Sequence, residues 1–246
     1  MAAQVSPSSA GPADPALIED LIAANRILFD HGVLDGSGHV SVRHPGNIER
    51  FLMSRSVAPA LTTIDDIIEY DLDCTPVEPR GRTSFLERFI HGEIYKVRPD
   101  VNAVVHSHSP TVIPFGVTKG PMKAIFHSAG FLAYGVPVFE IRDHGGMTDM
   151  LVRDHALGKA LADTLGDKPV ALLRGHGNVV VGPDVRIATH RAVYTEVNAR
   201  LLATAIGLGG PITYLDPEEY RKLEGGGARI AAARAWDLWK RKVMGK

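Results

Sequence analysis

The pattern of apolar and polar positions changes repeatedly between two periods along this chain of 246 residues. Apolar residues recur at helical spacing in some segments, and short β-branched runs that alternate with polar positions are typical of strands in others. Helices are predicted over 15–31, 83–98, 146–166 and 184–209, with two further pieces in 216–243. Strands are predicted over 39–44, 49–54, 102–108 and 136–142, after a turn in 62–73, and twice in 169–182.

These helices and strands alternate throughout the chain, and no internal repeat is visible. The alternation predicts an α/β fold in which helices cover a sheet, while periodicity alone leaves the strand order open. Residues 1–14 are small, polar and proline-bearing, so we predict a disordered N-terminal tail there. Residues 15–246 are predicted to form a single domain.

Composition narrows the class of protein. A hydrophobic content of 45% with 22% charged residues is ordinary for a globular protein, and the net charge of −1 offers no basic surplus for nucleic acid or an anionic membrane. No apolar run reaches the roughly 18 residues of a membrane span. A single cysteine, Cys74, and the lack of a signal-peptide pattern favour a cytoplasmic location.

Two histidines on one predicted strand are the first candidate for chemistry. In the run "AVVHSHSP", His106 and His108 are two residues apart, and such residues point to the same face of a strand. Two imidazoles placed in this way suit one divalent ion. The alternative is a pair of hydrogen-bonded histidines at a sheet edge.

Further ligands must come from other segments. His176 stands between two glycines in "LLRGHG", where a glycine backbone leaves room close to an ion. Glu87 in "SFLERFIH" is next to apolar helix positions and could face inward, with His91 one turn later. Taken singly, each has a plain alternative: a histidine in a hairpin turn and a glutamate on a helix surface.

Taken together, the segments "SFLERFIH", "PDVNAVVHSHSP" and "LLRGHG" resemble the class II aldolase/adducin family over about residues 17–208. The resemblance implies a three-layer α/β/α sandwich around a mixed, mostly antiparallel sheet. It also implies one divalent metal ion per subunit, held by His106, His108 and His176, with Glu87 as a fourth ligand or as the acid/base that replaces it. Family members are commonly homotetramers with active sites at subunit contacts.

The segments that grip a sugar phosphate in the aldolases differ here. "GHVSVR" has His39 at the asparagine position, "LMSRSVAP" has Arg55 and no glycine, and "AIFHSAG" has His127 where the aldolases have a catalytic tyrosine. Small residues and free backbone N–H groups are what cradle phosphates, so the phosphate pocket is not expected. The chain is more similar to a branch that includes decarboxylases of dihydroxyphthalate and hydroxypyridine-dicarboxylate.

This branch implies decarboxylation of a ring acid with a hydroxyl beside the carboxylate, assisted by zinc, manganese, cobalt or iron. Glu87 is the first candidate for proton transfer and His127 is the second. His39 and Arg55 are predicted to pair with a second substrate carboxylate. The remaining substrate-binding candidates are Ser41, Ser84, Phe85 and Tyr220, the last of which, with Tyr214, lies in the region that in aldolases reaches a neighbouring site.

Three other functions stay open at this point. One is an aldolase for a small hydroxy-keto acid without phosphate, one is a non-haem iron oxygenase, and one is a structural protein like adducin, against which the full ligand set argues. The "GSG" at 36–38 is not a dinucleotide fingerprint, because no strand precedes it, and we expect no phosphate role there.

Overall fold

The computed structural model describes residues 7–224 and 226–245, which form eight helices and eight strands in that part of the chain. The helices are α1 (Pro15–Asp30), α2 (Phe89–Val97), α3 (Ile113–Val117), α4 (Arg142–Gly145), α5 (His155–Leu165), α6 (Val185–Leu208), α7 (Pro217–Glu224) and α8 (Gly227–Met244). The strands are β1 (His39–Arg43), β2 (Arg50–Ser54), β3 (Ile67–Asp71), β4 (Pro76–Val77), β5 (Ala103–Ser107), β6 (Val138–Phe139), β7 (Val170–Leu173) and β8 (Gly177–Gly182).

All eight strands belong to one sheet with the order β4-β3-β2-β1-β5-β8-β7-β6. Neighbouring strands run antiparallel except β6 and β7, which are parallel. The sheet is therefore mixed and mostly antiparallel, as the sequence predicts. Strand β5 lies in the centre, paired with β1 on one side and with β8 on the other.

Helices cover both faces of this sheet. Alternate residues of a strand point to opposite sides, so one strand contributes to the core beneath each layer of helices. Ala103 and Val105 of β5 belong to the apolar core beneath α1, α6 and α8. Val104, between them, belongs to a second core beneath α2 and α5. The three layers confirm the predicted α/β/α sandwich. No helix within the described residues is long and apolar enough to cross a membrane.

Three predicted elements are shorter than the pattern indicated. The helix expected over 83–98 begins only at Phe89 and follows a 3-10 turn. The helix expected over 146–166 begins at His155, because the Asp154 carboxylate caps it by accepting the Leu157 N–H. The strand expected over 136–142 is confined to Val138–Phe139, after which the chain turns into α4.

The predicted N-terminal tail is only partly described, since residues 1–6 lie outside the described range. Residues 7–14 form neither helix nor strand, yet they contact the sheet. Ser9 Oγ and Ala10 N donate to the Glu69 carboxylate at 2.7 and 2.8 Å. The Gly11 carbonyl lies 3.2 Å from His44 Nε2. These contacts hold this part of the tail against β3 and the end of β1.

Candidate metal centre

Three histidines meet at one end of the central strands. His106 is in β5, and His108 follows directly after the last residue of that strand. His176 is in the turn between β7 and β8, and β8 pairs with β5. The pairing of β5 with β8 thus brings the turn histidine beside the strand histidines, which sequence spacing could not show.

The ring nitrogens of these histidines and the Glu87 carboxylate point at a common space. His108 Nε2 lies 3.1 Å from His176 Nε2, and Glu87 Oε2 lies 3.5 Å from His106 Nε2 and 3.4 Å from His176 Nε2. One ligand atom from each of the four residues lies within 4.8 Å of the other three. Ligand atoms bound tetrahedrally to zinc at about 2.0–2.1 Å would be roughly 3.3 Å apart, so these separations fit one divalent ion.

A hydrogen bond orients the His106 ring. The peptide carbonyl of Asn178 lies 3.2 Å from His106 Nδ1, so a proton on Nδ1 is donated outward and the lone pair of Nε2 is left for a metal. The buried His106 Nε2 has no hydrogen-bond partner among the described residues. A buried ring nitrogen with an unused lone pair is what a metal ligand presents before it binds. The donor set therefore fits the implied metal.

Glu87 reaches the site from a distorted turn and not from the predicted regular helix. Residues 86–88 form a 3-10 turn, and Glu87 has φ −89° and ψ 20°, in the sparsely populated bridge region. Its Oε1 accepts a hydrogen bond of 2.9 Å from the Val152 N–H, which leaves Oε2 for the histidines. Val152 lies in the loop before α5, so this hydrogen bond joins that loop to the metal centre.

Two glycines are required for the close approach of these segments. A Cβ at Gly177 would clash with the Ser107 carbonyl oxygen in the neighbouring strand. Gly38, just before β1, has φ +86°, and a Cβ there would lie 2.9 Å from the His106 carbonyl oxygen. The glycine that follows His176 therefore permits the turn to pack against β5.

The charges of the cluster support a bound cation. Burial raises the pKa of the Glu87 carboxyl, but His106 and His176 outweigh burial and hold that pKa well below its ordinary value. Burial lowers the pKa of His176, but the hydrogen bond and charge of Glu87 outweigh it and raise that pKa. The pKa of His108 is lowered to about 4, first by burial and then by His106 and His176. The ionised Glu87 and the neutral His108 are in the forms that bind metals, whereas a metal has to displace from His176 the proton that Glu87 stabilises there.

A cavity of about 360 Å³ opens beside the cluster. Glu87, His108, His39 and Phe85 line it, together with backbone of 36–38 and 56–58. The "GSG" segment, for which we expected no phosphate role, forms part of the wall. The volume is near the lower end of small-molecule sites, which suits a ligand with a single ring.

The structure places two of the predicted substrate-binding residues at this cavity. His39 pairs in register with His106 across β1 and β5, and the two rings lie 5.1 Å apart between centroids. The Phe85 ring lies 4.6 Å from the His39 ring and forms a wall of the cavity. Both are therefore within reach of a ligand at the cluster.

Three other predicted substrate-binding residues do not line the cavity. Ser41 is fully buried and its hydroxyl contacts His91 and Tyr95, because position 41 of β1 faces α2. Ser84 accepts a hydrogen bond from the Tyr70 hydroxyl at 2.9 Å. Arg55 donates from Nε to Asp66 at 2.6 Å and is drawn toward that carboxylate.

His127 and Tyr220 line a separate cavity of about 510 Å³ between the 3-10 segment His127–Tyr134 and the helices α6, α7 and α8. Arg191 and His190 line the same cavity. It shares no lining residue with the cavity at the cluster. Tyr214 lies nearby in the fold, with the Lys123 ammonium 4.9 Å from the centre of its ring. Within one chain, His127 is thus not placed at the metal ligands.

Sequence analysis missed several residues that support the site. Asn178 orients His106 through a backbone carbonyl, which no residue pattern could indicate. The Val152 N–H fixes Glu87 from a segment that was predicted to be helical. Asp35 Oδ1 lies 3.9 Å from His108 Nδ1, and only the packing of the loop before β1 brings it there.

Comparison with known proteins agrees with this geometry. Residues 19–203 match the family described as class II aldolase and adducin N-terminal domain, and the chain belongs to that family. A solved aldolase II superfamily protein from Pseudomonas syringae has a TM-score of 0.78 and 25% identity, covering 95% of this chain and 94% of that one.

Two relatives of similar length are decarboxylases by name. "Decarboxylase tropJ" of Talaromyces stipitatus is 36% identical over 249 residues, with 92% of this chain and 93% of that protein covered. A "3,4-dihydroxyphthalate decarboxylase" of Arthrobacter keyseri is 31% identical, with 89% and 90% covered. The resemblance inferred from the histidine motifs is confirmed.

Proposed function

We propose that this chain is a divalent-metal-dependent decarboxylase of an aromatic or heteroaromatic carboxylate that has a hydroxyl beside the carboxylate. The observation that carries the proposal is the convergence of His106, His108, His176 and Glu87 on one space beside a ring-sized cavity. The names of the two similar decarboxylases support the reaction type.

His106, His108 and His176 would hold the ion, which we expect to be zinc, manganese, cobalt or iron, one in each subunit. A bound divalent ion supplies Lewis acidity, which stabilises the electron density left on a ring carbon when a carbon–carbon bond breaks. The three imidazoles remain neutral ligands in this scheme. His106 is kept in the required orientation by the Asn178 carbonyl.

Glu87 is the residue that we assign to proton transfer. In the net reaction the bond from the ring to the carboxylate breaks, carbon dioxide leaves, and the electron pair left on the ring carbon takes up one proton. Glu87 Oε2 faces the cluster while Oε1 is fixed by Val152, so the ionised carboxylate can take the proton of the substrate's ring hydroxyl and deliver it to the ring carbon as carbon dioxide leaves. Phe85 would pack against that ring.

The residues that line the cavity decide which charged groups of a substrate it can bind. Among the described residues that line it, none is lysine or arginine. Arg55, which we predicted to bind a second carboxylate, donates instead to Asp66. A second carboxylate would therefore depend on His39, on backbone N–H groups of the walls, or on a neighbouring subunit.

A role for His127 and Tyr220 in the same reaction requires a second copy of the chain. The two residues line the other cavity of their own subunit, so they could reach a metal site only across a subunit contact. We therefore keep the homotetramer as part of the proposal, with His127, the second candidate for proton transfer, contributed by the neighbour.

The test is carbon dioxide release by protein loaded with each of the four metals in turn. The substrates are ring acids with an ortho hydroxyl, half of them monocarboxylates and half dicarboxylates. Release that a chelator abolishes and that Glu87→Gln reduces strongly would support the proposal. If no acid is decarboxylated while a hydroxy-keto acid yields an aldehyde, the protein is an aldolase. Oxygen uptake by the iron form would show an oxygenase.

A further inference from the structure

Four buried side chains form a continuous hydrogen-bonded line from the metal-site cavity into the core. His39 Nδ1 lies 2.6 Å from His91 Nε2, and His91 Nδ1 lies 2.6 Å from Ser41 Oγ. Ser41 Oγ lies 2.8 Å from the Tyr95 hydroxyl oxygen. All four residues are almost fully buried. We call this series the His39–Tyr95 line.

The fold brings the line together from two elements. His39 and Ser41 are alternate residues of β1 and so share the face of the sheet that α2 covers. His91 and Tyr95 are four residues apart on α2 and therefore lie on one side of that helix. The register that places His39 beside His106 also fixes where the line meets the metal centre.

The direction of the hydrogen bonds follows from the Tyr95 end. A phenol has one proton, and among the described residues the acceptor that the Tyr95 hydroxyl has for it is Ser41 Oγ. If Ser41 donated to Tyr95 instead, the buried phenol proton would have no acceptor, which is strongly unfavourable. Tyr95 therefore donates to Ser41, and the Ser41 hydroxyl donates to His91 Nδ1.

The same logic continues to the cavity. Because His91 Nδ1 accepts a proton from Ser41, His91 carries its own proton on Nε2 and donates it to His39 Nδ1. His39 Nδ1 is then an acceptor, so the proton of His39 is on Nε2. Burial, followed by the charge of His106, lowers the pKa of His91 to about 3, in agreement with a neutral ring.

We propose that His91, held by Ser41 and Tyr95, is a positioning residue that fixes His39 as the tautomer with its proton on Nε2. His39 then offers the cavity a hydrogen-bond donor and neither a metal-binding lone pair nor a base. This accounts for a histidine that lies beside His106 and yet stands outside the four-residue ligand cluster. The role of that donor, which is to bind a substrate oxygen, rests on the proposed function.

The experiment is nitrogen-15 NMR of the imidazole rings in full-length protein labelled at histidine, in metal-free and zinc-loaded forms. The His39 signals are assigned from their loss in His39→Gln. We expect wild-type His39 to show a single tautomer protonated at Nε2. In Ser41→Ala no hydroxyl donates to His91 Nδ1, so nothing fixes the direction of the hydrogen bond between His91 and His39, and His39 should become a mixture of both tautomers.

Ser84→Ala is the matched control, because it also removes a serine hydroxyl bonded to a tyrosine, Tyr70, outside the line. It should leave the His39 tautomer unchanged. Because a mixture leaves only about half of the His39 rings as donors, Ser41→Ala should also raise the substrate KM by about twofold, with a smaller effect on kcat. His91→Gln, whose amide can both donate and accept, should restore more affinity than His91→Phe.

A wild-type His39 protonated at Nδ1, or a Ser41→Ala spectrum with the same single tautomer as wild type, would overturn the proposal. The tautomer is observed without substrate and in the metal-free protein. Failure of the decarboxylase assay would therefore leave this result intact, and failure of the tautomer prediction would leave the proposed reaction intact.

Discussion

Two cavities of this chain contain histidines beside aromatic and charged side chains, but they differ in how those histidines are aimed. At the metal centre, backbone pairing of β5 and β8 directs ring nitrogens from two segments toward Glu87. In the larger cavity, the ring of His190 packs 4.5 Å from the ring of Tyr194, and His127 Nε2 lies 3.3 Å from Ser128 Oγ. In the described part of the chain, only the side chains at the metal centre bring ligand atoms close enough together to bind one ion.

The difference teaches that the number of histidines and the size of a cavity are poor guides to a metal site. The cavity at the metal centre has about 360 Å³ and the other has about 510 Å³. Convergence comes from strand register, because paired strands align side chains at fixed spacing. Helices arranged around a cavity impose no such alignment.

The largest expected difference between the two cavities is in metal binding. His176→Asn removes one ligand and should weaken zinc binding by more than about 100-fold, since loss of an outer-shell partner alone costs 10–100-fold. His190→Asn, the matched change in the other cavity, should leave zinc affinity unchanged. Titration calorimetry of both folded variants measures their affinities for zinc. Equal affinities would contradict the expected difference between the two cavities.

The second effect concerns whether the two cavities act together across subunits. Glu87→Gln and His127→Ala are each expected to be nearly inactive in carbon dioxide release. If His127 acts on a neighbour's metal centre, mixed tetramers of the two variants should regain activity at about a quarter of their sites. Mixing after mild dissociation is followed by activity and by mass measurement of the assembly. Mixed tetramers without regained activity would place the two residues in unrelated roles.

A third effect should separate His190 from the ligand histidines through pH and stability. Burial, followed by the charge of Arg191, lowers the pKa of His190 from 6.5 to about 4. The unfolded chain therefore binds a proton near pH 6.5 that the folded chain binds only near pH 4, so acidification between these values favours unfolding. At about 1.4 kcal/mol per pKa unit, His190 should cost roughly 3 kcal/mol of stability at pH 4.

Chemical denaturation of metal-free wild type and His190→Gln at pH 7 and pH 4 measures this contribution. The variant should lose about 3 kcal/mol less than wild type on acidification. Parallel losses in the two proteins would show that His190 is readily protonated in the folded state and that its cavity is open to water.

The smallest effect is expected at Arg55. Although burial acts to raise it, the pKa of the Asp66 carboxyl is lowered by hydrogen bonds from Thr63 and by Arg55. The carboxylate therefore stabilises the fold above its unfolded pKa of about 3.8, and this is lost as the pH falls toward the folded value. Because Arg55 is partly exposed, Arg55→Met should cost about 1 kcal/mol or less at pH 7.

The same variant tests the substrate-binding role predicted from sequence. With Arg55 engaged by Asp66, Arg55→Met should change KM for a dicarboxylate by less than about threefold, the change expected for an exposed charge pair. A large rise in KM for dicarboxylates alone would show that Arg55 leaves Asp66 and binds the second carboxylate.

Local sequence was sufficient for much of this protein. Strand alternation placed His106 and His108 on one side, and the long periodic segment of α6 was predicted almost to its last residue, Leu208. These inferences worked because backbone geometry couples neighbouring residues directly. His176 and Glu87 were implied as partners by the resemblance to the class II aldolase/adducin family.

Tertiary structure alone decided the features that join distant segments. The register of β1 against β5 set His39 beside His106, and the packing of α2 on β1 buried Ser41 in the His39–Tyr95 line. The Asp154 cap begins α5 only at His155, and the loop before it donates the Val152 N–H to Glu87 in its 3-10 turn. Such contacts lie 50 to 90 residues apart in sequence, where no local period operates. Only the assembled sheet and its covering helices bring them within hydrogen-bonding distance.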